Sequence, residues 1–265
     1  MGKPVLLLRL EGPLQSWGIR SRWDVRDTAL EPTKSGVIGL LGCALGYPVH
    51  DPRLEQLSDA IYFGVRTEYP GKVATDYQTI TDFVPTAAGQ YKSRGGVKSL
   101  EAIRRDGDAA ATIISPRAYL EDAAFLVALE QRNAGDDLLK ECAEKLQRPA
   151  WPMFLGRKSC IPSRPVFDSR NDGLIDRYDG IEYALKSHPW SWLGACKLPR
   201  RQRQAADYLS AWIEVRDDFN HAEAILRQDA LRINPARVYG FRAVKRFNIK
   251  VSDLQKGDSC SISPN

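Results

Sequence analysis

Two strand–helix–strand patterns, separated by a long polar interruption, constrain this chain more than any other feature. Val5-Leu6-Leu7-Leu8-Arg9-Leu10 is a continuous apolar run of strand length, which fits a strand buried on both faces. Pro32-Thr33-Lys34-Ser35-Gly36 opens an apolar helix, Val37 to Leu45, and Ile61-Tyr62-Phe63-Gly64-Val65 reads as a second strand. Gly36, Gly39, Gly42 and Gly46 recur at three- and four-residue spacing, so one face of that helix is bare and is expected to lie close against a sheet. The interruption runs roughly from Tyr69 to Tyr119. Beyond it, Ala123 to Leu129 reads as a third strand. Asp136 to Gln147 reads as a helix, with Leu138, Leu139, Cys142, Ala143 and Leu146 in helical register. Trp151 to Phe154, or the segment after the Gly156 loop, is expected to supply a fourth strand.

That order is the split βαβ arrangement of an α+β, ferredoxin-like (RRM-like) domain. An interruption of such length inside a compact domain is expected to be functional or mobile. After about Asp168 the composition changes. Tyr208 to Val215 reads as a strand and Ala222 to Leu231 as a short helix. From Tyr239 to Val251 large apolar residues alternate with charged and polar ones, the two-residue period of a half-exposed strand. Residues 1–168 are therefore expected to form the first domain, and residues 169–265 a smaller, strand-rich second one.

Composition narrows the class. Apolar residues make up 43% of the chain and charged residues 27%, which excludes disordered, collagenous and coiled-coil chains. The longest nearly apolar stretch, Gly36 to Tyr47, is too short to span a membrane. Met1-Gly2-Lys3-Pro4 leads into only four apolar residues before Arg9, which is not the pattern of a signal peptide. The five cysteines (Cys43, Cys142, Cys160, Cys196, Cys260) form no C-x-x-C pair, so a cytoplasmic protein without metal or disulfide scaffold is expected. Arginine supplies 25 of the 38 basic residues, and residues 151–265 hold nineteen basic against thirteen acidic side chains. The planar guanidinium suits phosphate and stacks on bases, so the charge pattern points to a polyanion partner.

Three segments carry the binding chemistry. At Thr33-Lys34-Ser35-Gly36 a hydroxyl can cap the helix, the first backbone N–H groups are free, and the lysine adds a point charge. The G-x-x-x-x-G-K-[ST] spacing of a phosphate loop is absent. At Gly156-Arg157-Lys158-Ser159 a turn brings two cations and a hydroxyl toward one phosphate or two adjacent ones. Within the interruption, Gly89-Gln90-Tyr91-Lys92-Ser93-Arg94-Gly95-Gly96-Val97-Lys98 and then Arg104-Arg105 interleave one aromatic with five cations. That pattern suits a flexible finger on a nucleic-acid backbone.

In chain order, four segments resemble the CasD family, the RAMP-type subunit of the type I-E CRISPR surveillance complex, Cascade. They are Leu8-Arg9-Leu10-Glu11-Gly12-Pro13-Leu14-Gln15-Ser16-Trp17-Gly18, Pro32 to Gly42, Asp76-Tyr77-Gln78-Thr79 and Leu155-Gly156-Arg157-Lys158-Ser159-Cys160. The resemblance spans residues 8–160 and implies a ferredoxin-like RAMP domain with a thumb inserted at about 69–119. It implies a subunit holding the 5′ handle of the CRISPR RNA. The partners implied are the Cascade backbone subunit and the large subunit, with target DNA met only through the assembled complex and no membrane. On this resemblance the RNA-binding set is Gln15, Trp17, Thr33, Lys34, Ser35, Tyr91, Lys92, Arg94, Lys98, Gly156, Arg157, Lys158 and Ser159.

The competing reading is a metal-independent endoribonuclease that processes CRISPR precursor RNA, as the related subunit of type I-C systems does. Cleavage of that kind needs a base for the 2′-hydroxyl and a cation for the developing phosphorane. The chain's three histidines, His50, His188 and His221, lie outside the four segments. A non-catalytic subunit with no cofactor is therefore the expected function.

Overall fold

The structure is a computed structural model that describes residues 4–19, 25–133, 137–168, 173–175, 178–191, 207–216, 224–233 and 238–254. Strand β1 (Val5–Glu11) is buried along its whole length and explains the opening apolar run. Leu6, Leu8 and Leu10 enter one apolar cluster, while Val5 and Leu7 enter a second on the opposite face. β2 (Leu14–Gln15) follows, and then α1 (Lys34–Leu45), which is capped by the Thr33 hydroxyl accepting from the Gly36 amide. α2 (Arg53–Ala60) leads into β3 (Ile61–Tyr69). After the interruption come β9 (Ala124–Gln131) and α4 (Leu138–Gln147), with Leu139, Cys142, Ala143 and Leu146 turned inward.

The expected interruption is ordered rather than loose. β4 (Lys72–Asp82) and β8 (Ala111–Glu121) form an antiparallel ribbon paired without a break from Lys72↔Glu121 to Asp82↔Ala111. At its far end β5 (Val84–Pro85), β6 (Tyr91–Ser93) and β7 (Gly96–Lys98) make a small sheet, followed by α3 (Leu100–Asp106). β4 is exposed on both faces over most of its length, so β4 packs against little beyond β8.

The second half departs from expectation more sharply. β10 (Leu174–Ile175), α5 (Ile181–Ser187), β11 (Tyr208–Glu214), β12 (Ile225–Arg232) and β13 (Val238–Lys250) complete the fold. A single seven-stranded sheet runs β10-β1-β9-β3-β11-β13-β12. The strand-rich segment expected as a separate domain after residue 168 therefore extends the first sheet, because β11 bonds directly to β3 through Ala211↔Arg66, Trp212↔Val65 and Ile213↔Gly64. Three further expectations are corrected. Residues 225–232 are strand, not helix: β13 needs a partner along its outer edge, and pairing there overrides the helical propensity of Ala, Leu, Gln and Arg. Trp151–Phe154 forms no strand, and the fourth strand is Leu174–Ile175, well after the Gly156 loop, where it pairs with β1 on the edge opposite β9. The glycine face of α1 does not lie on a sheet either. A Cβ at Gly36 would sit 2.8 Å from the Trp17 ring, one at Gly42 would overlap Leu54 of α2, and Gly39 faces open space.

Buried charges tie the halves together. Arg9 and Arg66 both donate to Glu68, and their remaining N–H groups reach carbonyls of Leu185, His188, Pro189 and Ser191. Unpaired, such groups would cost several kcal/mol each, on the order of the whole fold's margin. Their hydrogen bonds pin the segment after α5 onto β1 and β3.

Candidate nucleic-acid interface

A groove of about 730 Å³ opens between the first turn of α1, the Trp17 loop, the base of the ribbon and the Gly156 turn. Its described lining includes Trp17, Thr33, Ser35 and Gly36, together with Arg26, Arg117, Arg157 and Tyr239, and contains no acidic residue. Three guanidinium groups beside a helix N-terminus give the groove a positive field suited to anions.

Each wall has a traceable cause. Gln15 is wholly buried; its amide donates to the Leu10 and Ala123 carbonyls, and its oxygen accepts from the Trp17 indole at 3.0 Å. Gln15 and Trp17 thus build the groove floor from inside, with the Trp17 ring seated against Gly36, where a side chain would collide. Gly156 has φ +102°, and a Cβ there would overlap the Ser16 carbonyl oxygen. Only glycine lets the turn close so tightly that the Ser16 amide donates to the Leu155 carbonyl at 2.9 Å. Arg157 lies over the Tyr119 ring and donates to the carbonyls of Ala118, Arg26 and Asp27. It clamps the 26–29 segment onto β8, beside the bridge between Arg26 and Arg117.

The structure separates the expected site residues into groups. Thr33, Ser35, Trp17, Gly156 and Arg157 converge on the groove. Lys158 and Ser159 are exposed on the same turn, with the Ser159 hydroxyl 3.4 Å from that of Tyr119, but neither is part of the described lining. Lys34 faces the other way. The residue is 3% exposed, and its ammonium donates to the Ile61 carbonyl at 2.7 Å and to both Glu214 oxygens at 3.1 and 2.8 Å. Burial pushes the Lys34 pKa below the ordinary lysine value, against the opposing pull of Glu214. The expected point charge beside a phosphate is therefore an internal anchor, because β11 places a carboxylate directly beneath the helix start. The Lys34 amide donates to Asp229, which Arg242 also grips with two bonds. Burial alone would raise the Asp229 carboxyl, but the Arg242 charge and hydrogen bonds outweigh it and hold the pKa below its ordinary value.

The finger residues lie apart, on the small sheet at the ribbon's end. Lys92 and Arg94 are exposed and Tyr91 half-buried. Lys98 is held by Asp106 at 3.0 Å and Asp108 at 2.8 Å, hydrogen bonds that raise its pKa.

Arg26, Arg117 and Tyr239 are lining residues that motif reasoning missed. Arg117 is the most telling: its Nε is buried with no hydrogen-bond partner among the described residues. Strand alternation puts Arg117 and Tyr119 on one face of β8, a signal that becomes readable only once Tyr119 is known to carry Arg157.

This mixed α/β fold, built mostly of sheet, has counterparts among solved structures. One is a chain of a CRISPR RNA-guided surveillance complex, 26% identical with a TM-score of 0.65, aligned over 96% of this chain and 95% of that one. Another is a Cas protein crystal structure, 29% identical with a TM-score of 0.61, aligned over 96% and 98%. Among curated proteins, the CRISPR system Cascade subunit CasD of Escherichia coli (strain K12) is 33% identical over 168 residues, which is 61% of this chain and 69% of that protein. The CRISPR-associated protein (Cas5) family model matches residues 5–245, and the chain belongs to that family.

Proposed function

We propose that this chain is a non-catalytic RNA-binding subunit of a type I-E CRISPR surveillance complex, Cascade, and that its arginine groove holds the 5′ handle of the CRISPR RNA. The observation that carries this reading is the convergence of Arg26, Arg117 and Arg157 with the first turn of α1 in one groove whose described lining is free of carboxylates. The names of its relatives support the same complex. The order β10-β1-β9-β3, with α1 and α2 joining β1 to β3 and α4 following β9, supports a ferredoxin-like core. The β4–β8 ribbon occupies the stretch where the family carries its thumb, and exposed Lys92 and Arg94 at its end suit a nucleic-acid backbone. The backbone and large subunits are the proposed protein partners, and target DNA is met only through them.

The described lining of the groove contains no histidine, whereas metal-free RNA cleavage draws on a poised base. His188 is buried against the Tyr178 hydroxyl at 2.9 Å, and His50 stands on the exposed turn after α1. This supports the non-catalytic reading over a processing nuclease.

The test is binding of a handle RNA across a salt series by the parent and by Arg26→Ala/Arg117→Ala. Arg157 is avoided because it holds the wall together. Removing each charge-assisted phosphate bond should cost roughly 1.5–3 kcal/mol and flatten the salt slope by about 0.7 on a single strand. A double variant that binds as tightly as the parent with the same slope would remove the groove from RNA recognition.

A further inference from the structure

On the α5 side of the large sheet, β11 and β13 are covered, and Leu209, Ala211 and Ile249 enter the second apolar cluster. On the α1 side these strands are buried at one end only, where Glu214 and Val244 lie. The other end is open. There the ladder sets Tyr208↔Lys250, Ser210↔Asn248 and Trp212↔Arg246 side by side, a ring or hydroxyl against a cation or amide in every row and an acid in none. Tyr208 is 58% exposed, and Arg246, Asn248 and Lys250 are exposed. The side chains of Tyr208, Asn248 and Lys250 have no hydrogen-bond or ion-pair partner among the described residues. Arg246 is positioned but not neutralised. Its Nε donates to the Ser210 hydroxyl at 3.1 Å and its guanidinium lies over the half-buried Trp212 ring, with no carboxylate among the described residues bonded to it.

Unneutralised cations with a free ring and a free amide beside them are what an open sheet uses to take single-stranded nucleic acid. Phosphates sit on the charges, bases stack on the ring or a guanidinium plane, and the amide meets base edges. An acidic protein surface would call on the cations alone. The face also lies near the groove. Arg227 stands 4.0 Å from the centre of the same Trp212 ring and pairs with Glu31. Glu31 is five residues from Arg26 of the groove wall, a span of at most about 18 Å. We propose that this open face of β11 and β13 is a second single-stranded RNA site, adjoining the groove, with phosphates on Arg246 and Lys250 and a base on Tyr208. That one strand runs through both rests on the reading of the groove as an RNA site; the chemistry of the face does not.

Binding of a handle RNA by the full chain across a salt series tests this with Arg246→Gln/Lys250→Gln, in which glutamine keeps part of the apolar stems. Affinity should fall roughly tenfold or more, and the salt slope should flatten by about 1.4, two phosphate contacts at about 0.7 each. Tyr208→Ala should weaken binding about fivefold or more, whereas Tyr208→Phe, which keeps the ring, should bind as the parent does. All three positions are exposed, so urea midpoints should match the parent's. Measured beside Arg26→Ala/Arg117→Ala, loss in the sheet variants alone supports this face and removes the groove, and loss in the groove variant alone does the reverse. Parent-like affinity and slope in Arg246→Gln/Lys250→Gln overturns the proposal, even where that variant fails to join the complex, which would make the face a protein-docking surface. So does parent-like binding by Tyr208→Ala, or equal losses in Tyr208→Ala and Tyr208→Phe.

Discussion

Lys34→Ala is the perturbation that separates an internal anchor from a phosphate ligand. The side chain makes three hydrogen bonds, two of them to the buried Glu214 carboxylate. Truncation leaves the Ile61 carbonyl without that donor and Glu214 with a poorer set of partners. Removing one member of a buried ion pair typically costs 3–5 kcal/mol. Glu214 keeps its bond to Arg132, so the lower end of that range, about 3 kcal/mol, is expected here. For a chain of this size a urea slope of roughly 3 kcal/mol per molar applies, so the unfolding midpoint should fall by about 1 M. The slope itself should hold, because the surface exposed on unfolding barely changes. Lys34→Met/Glu214→Gln should recover part of the loss by removing the orphaned charge. A Lys34→Ala protein that unfolds with the parent's midpoint but has lost RNA affinity would refute this reasoning and return Lys34 to the groove.

Two further outcomes are expected. Gly156→Ala should cost about 3 kcal/mol or more from positive-φ strain and the collision with the Ser16 carbonyl, lowering Tm by roughly 6–12 °C; an unchanged Tm would show that the turn has room. On acidification, the unfolded chain's Asp229 takes up its proton before the folded one, whose pKa is lowered, so stability should fall as the pH drops below about 4, and Asp229→Asn should flatten that fall while starting less stable at neutral pH. Urea midpoints measured at pH 3, 4, 5 and 7 check it, and parallel curves for the two proteins would contradict the assignment.

The central strands and helices were legible because burial writes itself into composition. β1 is buried on both faces and reads as an unbroken apolar run, and α4 presents Leu139, Cys142, Ala143 and Leu146 at helical spacing. β12 was not legible, for a physical reason. Its register shifts between Arg227 and Ala230, so the two-residue period that would betray a strand is lost. The groove was half legible. Glycine and hydroxyl motifs marked its floor and turn, since close approach demands those residues, but a lysine in a motif carries no sign of which way it points. Lys34 turns inward because Glu214 and Asp229 wait there, 180 and 195 residues further along the chain, and no local spacing encodes that. Arg117 escaped notice because the burial of its Nε, without a hydrogen-bond partner among the described residues, is a property of the assembled walls.

Those same long separations set an order of events during synthesis. The helix whose first turn lines the groove is made early, yet the carboxylates that lock its start, Glu214 and Asp229, belong to strands at the other end of the chain. β3 likewise waits with one edge open until β11 has been made. Contacts of such high sequence separation form slowly, and chains that depend on them stay exposed while incomplete. A nascent chain halted before residue 214 carries the motif residues of the groove without the anchors that hold them, so the groove is complete only with the final fifth of translation.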